Sequence, residues 1–371
     1  MVTRRHFVRD VSCIALASPL LGESVLALRA IPNAASSDDM VWLNANENPV
    51  GPPPSAIRAI VEGAAATARY HFEEFEGFTR VIAQSENVSE EHVLFGVGSS
   101  EIIDAAISAF TSVLHPMITA TPTYEVPIEL AHSMGKNVVQ TSLTEAWAFP
   151  VRRLAEEARK AGGGLIYLCN PNNPTSSLTP SDDLDWLVKN LPLNTVLLID
   201  EAYIHFAQPA HIESSIKYVR DNKNVVVTRT FSKIYGMAGI RAGFGCARPD
   251  LIRAMTPFRN NVIPVLGLRA ATAALKESPL LIPARRAEVA RRRSDLCEWL
   301  RQKGIGYIEP HANFVMIDIG RDVRSFGNEM FRKGVAVGRP FRPVEHMLRV
   351  SVGTESEMSK FRDVFWQVYT S

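Results

Sequence analysis

Cysteine is scarce: Cys13, Cys169, Cys246 and Cys297 stand far apart among 371 residues, with no C-x-x-C spacing. That pattern argues against a zinc-type metal site and against a disulfide framework. An excess of charge is also missing, with 40 basic residues against 39 acidic ones and a net charge of +1. Nothing therefore points to nucleic acid or to an acidic partner. Long apolar runs are absent as well. The best candidate, Val11 to Leu21 with a weak continuation to Leu28, is interrupted by Pro19, Gly22 and Glu23, so no stable membrane span is expected. What remains is a chain long enough for a large core and more than one lobe.

Its chemistry gathers at the ends of apolar runs. Val225-Val226-Val227-Thr228 reads as a buried strand that stops at Thr230-Phe231-Ser232-Lys233. Glycines at 236, 239, 243 and 245 follow, and Arg241 lies among apolar neighbours. Two cations in so apolar a segment call for an anion. Val93 to Glu101 reads as strand, glycine turn and helix start, so Gly98, Ser99 and Ser100 offer free N–H groups and the positive end of a helix dipole to an anion. A nicotinamide dinucleotide is excluded here. Glu101 replaces the third small residue of G-x-G-x-x-G, and no acidic residue closes the following strand, Met117-Ile118-Thr119-Ala120. That strand leads instead to Thr121-Pro122-Thr123-Tyr124. Leu165 to Cys169 runs into Asn170-Pro171-Asn172-Asn173-Pro174-Thr175-Ser176, and Thr195 to Ile199 ends on Asp200, with Tyr203 close behind. A carboxylate at the end of a buried strand is costly unless paired.

S-x-K followed by G-x-R-x-G resembles the lysine segment of fold-type I pyridoxal-phosphate enzymes in the aminotransferase class I and II group. LNANENP at 43–49, CNPNNPT at 169–175 and LRVSVGT at 348–354 are similar to segments of histidinol-phosphate aminotransferases. The resemblance implies pyridoxal 5'-phosphate as cofactor and Lys233 as the amine that bonds to it, a role suited to lysine because burial lowers its pKa. It further implies that Thr230, Ser232 and Arg241, with the Gly98-Ser99-Ser100 turn, hold the cofactor phosphate. Asp200 would face the ring nitrogen, Tyr124 would lie on the ring, and Asn173 and Tyr203 would reach the phenolic oxygen. Arg349 would clamp a substrate carboxylate, with Asn46 in the segment that closes over the substrate and Arg339 and Arg342 flanking the pocket. Tyr70 would serve the cofactor phosphate of a neighbouring subunit, which implies a homodimer with shared sites.

Two departures stand out. Gly338 occupies the place where the family usually has an arginine, and Ser176 replaces the usual glycine, which suggests a slightly different backbone at that turn.

The implied fold is α/β, fold type I: a large domain with a mostly parallel seven-stranded sheet and a small α+β domain. We expect a leader or arm at 1–38, a closing segment at 39–75, a large cofactor-binding domain at 76–262 and a small domain at 263–371. A helix is expected over Ser55 to Ala68 with Ile57, Ile60, Val61 and Ala64 on one side. Further helices are expected at Leu266 to Leu275 and at Arg285 to Gln302, the latter with its arginines on a solvated face. The leader, with Arg4-Arg5 ahead of its apolar stretch and small residues at Ala34-Ala35-Ser36, resembles a twin-arginine export signal and implies a periplasmic or exported protein. The alternative is an arm packed on a partner subunit of a cytoplasmic protein. The expected activity is transfer of an amino group from an amino acid or amino-alcohol phosphate to a 2-oxo acid. The alternatives are a decarboxylase, racemase or oxidase on the same scaffold, or a cofactor-binding protein without turnover.

Overall fold

The computed structural model describes residues 39–371, and the leader lies outside them. In chain order the strands are β1 (Val41–Trp42), β2 (Val93–Gly96), β3 (Met117–Thr121), β4 (Val138–Ser142), β5 (Gly164–Cys169) and β6 (Thr195–Asp200). They continue as β7 (Val225–Thr230), β8 (Gly243–Ala247), β9 (Tyr307–Ile308), β10 (Phe314–Asp318), β11 (Val335–Ala336) and β12 (Met347–Ser351).

Seven of them form one sheet in the order β2-β8-β7-β6-β5-β3-β4. Pairing is parallel from β4 through β7, whereas β8 runs antiparallel to both β7 and β2. A single reversed strand therefore leaves β2, β3, β5, β6 and β7 all pointing their carboxyl ends the same way. Strands β5, β6 and β7 are buried along their whole length, as expected of unbroken apolar runs covered on both faces. Each fully buried Val, Leu or Ile contributes about 1.5–3 kcal/mol, so the strand ends project from a stiff platform.

A smaller three-stranded antiparallel sheet, β12-β10-β9, lies beside a short parallel pairing of β1 with β11. Two hydrophobic clusters correspond to these sheets. The larger surrounds the seven-stranded sheet, and the smaller joins Leu43 to residues from Leu296 to Val368. The N-terminal segment thus shares its core with the C-terminal end of the chain.

Three local expectations are corrected. The helix at Ser55 forms as Pro54–Gly63 and tightens to 3-10 over Ala64–Ala68, and Ile57 and Val61 face outward, 49% and 70% exposed. The two helices expected after Pro264 are one helix, Val265–Gln302, which runs through Pro279 and Pro283. Its early residues Leu268, Ala271 and Ala274 enter the larger cluster and its late residues Leu296 and Leu300 the smaller. That burial at both ends offsets the backbone bonds two prolines forgo. Its arginines are not simply solvated. Arg285, Arg292 and Arg293 are buried and donate to the carbonyls of Ile234 and Gly51, of Gly353 and of Ala312. The helix therefore fastens loops of both lobes to itself.

Candidate active site

One crevice opens at the carboxyl ends of the strands and is lined by Ser99, Ser100, Tyr124, Asn173, Asp200, Tyr203, Thr230, Ser232, Lys233 and Arg241, together with Ala45 and Glu47. Five separated pieces of sequence converge there because β2, β3, β5, β6 and β7 end together.

At one side is an anion seat. Gly98, at φ 84, starts the helix Ser99–Phe110. A Cβ on Gly98 would lie 2.6 Å from an Arg241 guanidinium nitrogen, and one on Gly243 would lie 2.2 Å from the Ser99 amide nitrogen, so only glycine admits this approach. Arg241 donates to Ser232 Oγ at 3.2 Å, and the Ser232 N–H donates to Thr230 Oγ1 at 3.0 Å. The turn before the helix is braced by Glu101, whose carboxylate accepts the Val97 and Asn261 N–H groups at 2.7 and 2.8 Å. The residue that rules out a dinucleotide fingerprint thus shapes the turn that replaces it.

Deeper in, Asp200 is 3% exposed and accepts from Thr228 Oγ1 at 2.9 Å. Burial pushes its carboxyl up to about 6, although Thr228, the Ala202 N–H and the charge of Lys233 pull the other way. A buried carboxylate with that balance gains from a further cation beside it. Sequence reading missed Thr228, yet the signal was there: it lies two residues before Thr230, on the same face of β7, in register with Asp200. On the opposite face Arg229 pairs with Glu201 at 3.0 Å and Glu86 at 2.9 Å. This buried ion pair joins β6 to β7 at the level of Asp200.

Lys233 Nζ donates to the carbonyl of Ala45 at 3.2 Å and lies 5.6 Å from the centre of the Tyr203 ring. Asn46, at φ 53, donates from Nδ2 to Tyr203 Oη at 3.2 Å, and its backbone N–H donates to Ser351 Oγ at 2.9 Å. The closing segment is therefore sewn to the crevice by side chains that also belong to it. Arg349 is buried in β12 and directs its guanidinium to Asn173 Oδ1 and the Asn44 carbonyl, each at 2.7 Å.

Some expected residues stand elsewhere. Tyr70 is 67% exposed, stacks on Phe72 and is not among the lining residues. Arg339 is turned to Glu125, and Arg342 lies in solvent beside Glu345. The Ser176 turn also differs from expectation. Ser176 adopts φ 62, the left-handed conformation glycine favours, and its Oγ accepts the His311 and Ala312 N–H groups at 3.1 and 2.8 Å. Those two bonds offset the strain of a side chain in that region, so the turn remains glycine-like.

The donor set fits pyridoxal 5'-phosphate. Arg241, Ser99, Ser100, Thr230 and Ser232 suit a phosphate, Asp200 suits a protonated ring nitrogen, Asn173 and Tyr203 suit a phenolic oxygen, and Lys233 is an amine within the same crevice.

The sequence relationships agree. A histidinol-phosphate aminotransferase from Symbiobacterium thermophilum is 34% identical over 330 residues, covering 87% of this chain and 89% of that one. One from Moorella thermoacetica is 31% identical over 337 residues, covering 87% and 84%. The crystal structure of a provisionally assigned histidinol-phosphate aminotransferase from Erwinia carotovora atroseptica superposes with a TM-score of 0.86 at 29% identity, covering 92% of this chain and 99% of that one. The family model for aminotransferase class I and II matches residues 38–365. With its seven-stranded sheet, its crevice and these relatives, the chain belongs to the class I and II aminotransferases, pyridoxal-phosphate-dependent enzymes of fold type I.

Proposed function

We propose that this aminotransferase moves an amino group from an amino acid or amino-alcohol phosphate to a 2-oxo acid through Lys233, Asp200 and Tyr203. The observation that carries this reading is the convergence of an amine, a buried carboxylate and an anion seat in one crevice. When bound, the cofactor supplies an aldehyde that takes up an amine and a cationic ring that draws electrons from the substrate Cα. Lys233 would hold the group at rest, and its free amine would move the proton that leaves the substrate Cα. Asp200 keeps the ring nitrogen charged; each pKa unit it adds there is worth about 1.4 kcal/mol. Asn173 and Tyr203 hold the phenolic oxygen, and Arg349 and Asn46 orient the substrate under the closing segment. Thr230, Ser232, Arg241 and the Gly98-Ser99-Ser100 turn anchor the phosphate.

The working unit in this reading is a homodimer with shared sites. Its support is a run of outward apolar side chains, Ile57, Val61, Tyr70, Phe72 and Val262, each more than two-fifths exposed. Tyr70 among them suits a neighbour's cofactor phosphate. The twin-arginine-like leader supports export to the periplasm of a protein already folded and loaded, and fractionation of cells carrying an Arg4→Lys, Arg5→Lys variant tests it by loss of the exported pool.

The purified enzyme mixed with a panel of amino donors should lose the absorbance of its lysine-bound cofactor and release the matching oxo acid. Added 2-oxo acid should restore the starting spectrum. Release of carbon dioxide without oxo acid would favour a decarboxylase, and an unchanged spectrum with every donor would favour a protein without turnover.

A further inference from the structure

We propose that Gly338 and the Arg339–Glu125 pair fix donor specificity: the enzyme takes α-amino carboxylic acids whose side chains add no negative charge and discriminates against amino-alcohol phosphates. The proposal rests on the aminotransferase reading above and narrows its substrate.

The connection from β11 to β12 carries the first observation. Gly338 donates its N–H to the Arg349 carbonyl at 2.8 Å, and a Cβ at this position would stand 2.6 Å from that oxygen and 3.0 Å from Arg349 Cβ. No side chain can project from position 338 unless the strand bearing Arg349 moves. Position 338 therefore supplies no second cation beside Arg349.

The next residue does not replace it. Arg339 Nη2 donates to Glu125 Oε2 at 2.5 Å, and Nη1 donates to the Pro340 carbonyl at 3.1 Å. Both side chains of the pair are largely covered, 16% and 27% exposed. Glu125 is one residue along from Tyr124, which lines the crevice. The guanidinium of Arg339 also lies 4.2 Å from the centre of the Phe341 ring, and that of Arg349 lies 4.8 Å from the same ring. One aromatic ring thus spaces the two arginines, one directed to Asn173 and the other neutralised by an internal carboxylate. Arg342, 93% exposed at its side chain, contributes nothing to the pocket.

The charge arithmetic follows. A carboxylate has one negative charge and two coplanar oxygens, which a single guanidinium fork satisfies. A phosphate monoester carries about −1.5 to −2 charges and three acceptor oxygens at neutral pH. Placed beside Arg349, it would meet one cation where it needs a second, because Arg339 is already held by Glu125.

The test compares half-reactions of the cofactor-loaded enzyme with L-phenylalanine, histidinol and histidinol phosphate, followed by the cofactor spectrum. In the unaltered enzyme kcat/KM for phenylalanine should exceed that for histidinol phosphate by about tenfold or more, and adding the phosphate to histidinol should bring no gain. Glu125→Gln releases Arg339 from its carboxylate, so the histidinol phosphate to phenylalanine ratio should rise by about tenfold, carried by KM more than by kcat. A wild-type preference for histidinol phosphate overturns the proposal, and so does an unchanged ratio in Glu125→Gln. Failure of the aminotransferase reading looks different, because no donor of any kind would then release its matching oxo product. The wild-type comparison needs no variant and decides the substrate class even if Glu125→Gln folds poorly.

Discussion

Asp200 shows how one side chain links burial, pH and cofactor. In the cofactor-free protein its carboxyl sits at about 6, raised by burial. A raised carboxyl gives stability that is complete below its unfolded pKa and is lost as pH rises through the folded one. The cofactor-free enzyme should therefore lose about 3 kcal/mol on Asp200's account between about pH 4 and about pH 6. The loaded enzyme should lack that loss, since the ring cation favours the ionised form. Denaturant midpoints across this pH range check it: Asp200→Asn should flatten the cofactor-free profile, and an identical profile in variant and wild type would contradict the account. At this same scale the sequence was most readable. Lys233, Asp200, Asn173 and Tyr203 end continuous apolar runs, so period and chemistry mark the same positions. Glu125 was not readable, because its partner Arg339 is more than two hundred residues away and nothing local distinguishes it from a surface glutamate.

Among the elements, β6 and β7 carry the site and are tied twice, by Thr228 to Asp200 on the crevice face and by Arg229 to Glu201 on the reverse. Removing the cation of a buried ion pair strands its partners, so Arg229→Met should cost about 3–5 kcal/mol of stability in the loaded enzyme. Glu86→Gln should cost clearly less, because burial already pushes the Glu86 carboxyl up toward its neutral form against the pull of Arg229. Equal losses in urea titrations would refute this division of labour. The long helix Val265–Gln302 teaches a related lesson. Its arginines at 285, 292 and 293 fall on the same stripe as Val289, Leu296 and Leu300, which helical spacing could have revealed. Composition pointed to a solvated face, but arginine's fork lets it cap loop carbonyls from a buried position. The two helices expected there are likewise one, because packing at both ends carries it through Pro279 and Pro283.

For the molecule as a whole, the outward row from Ile57 to Phe72 and Val262 should be covered by a second copy of the chain. Sequence spacing identified the apolar side of the Pro54–Gly63 helix but not what covers it, since a buried face and an interface face have the same periodicity. Val61→Asp should shift the protein from dimer toward monomer in sedimentation, while Tyr70→Phe should leave association intact and weaken retention of the cofactor by about tenfold, the worth of one hydrogen bond to a charged group. A monomeric wild type, or a Tyr70→Phe enzyme that holds its cofactor as tightly as before, would remove the shared site from the account. The large sheet, the small sheet and the N-terminal segment all border one crevice lined by Lys233 and Asp200, and in the proposed function Lys233 would bond the cofactor there. The most direct test of that bond is borohydride reduction of the loaded enzyme followed by peptide mass mapping. The adduct is expected on Lys233 and absent from Lys233→Ala, whereas an adduct on another lysine, or one that survives that substitution undiminished, would contradict the account.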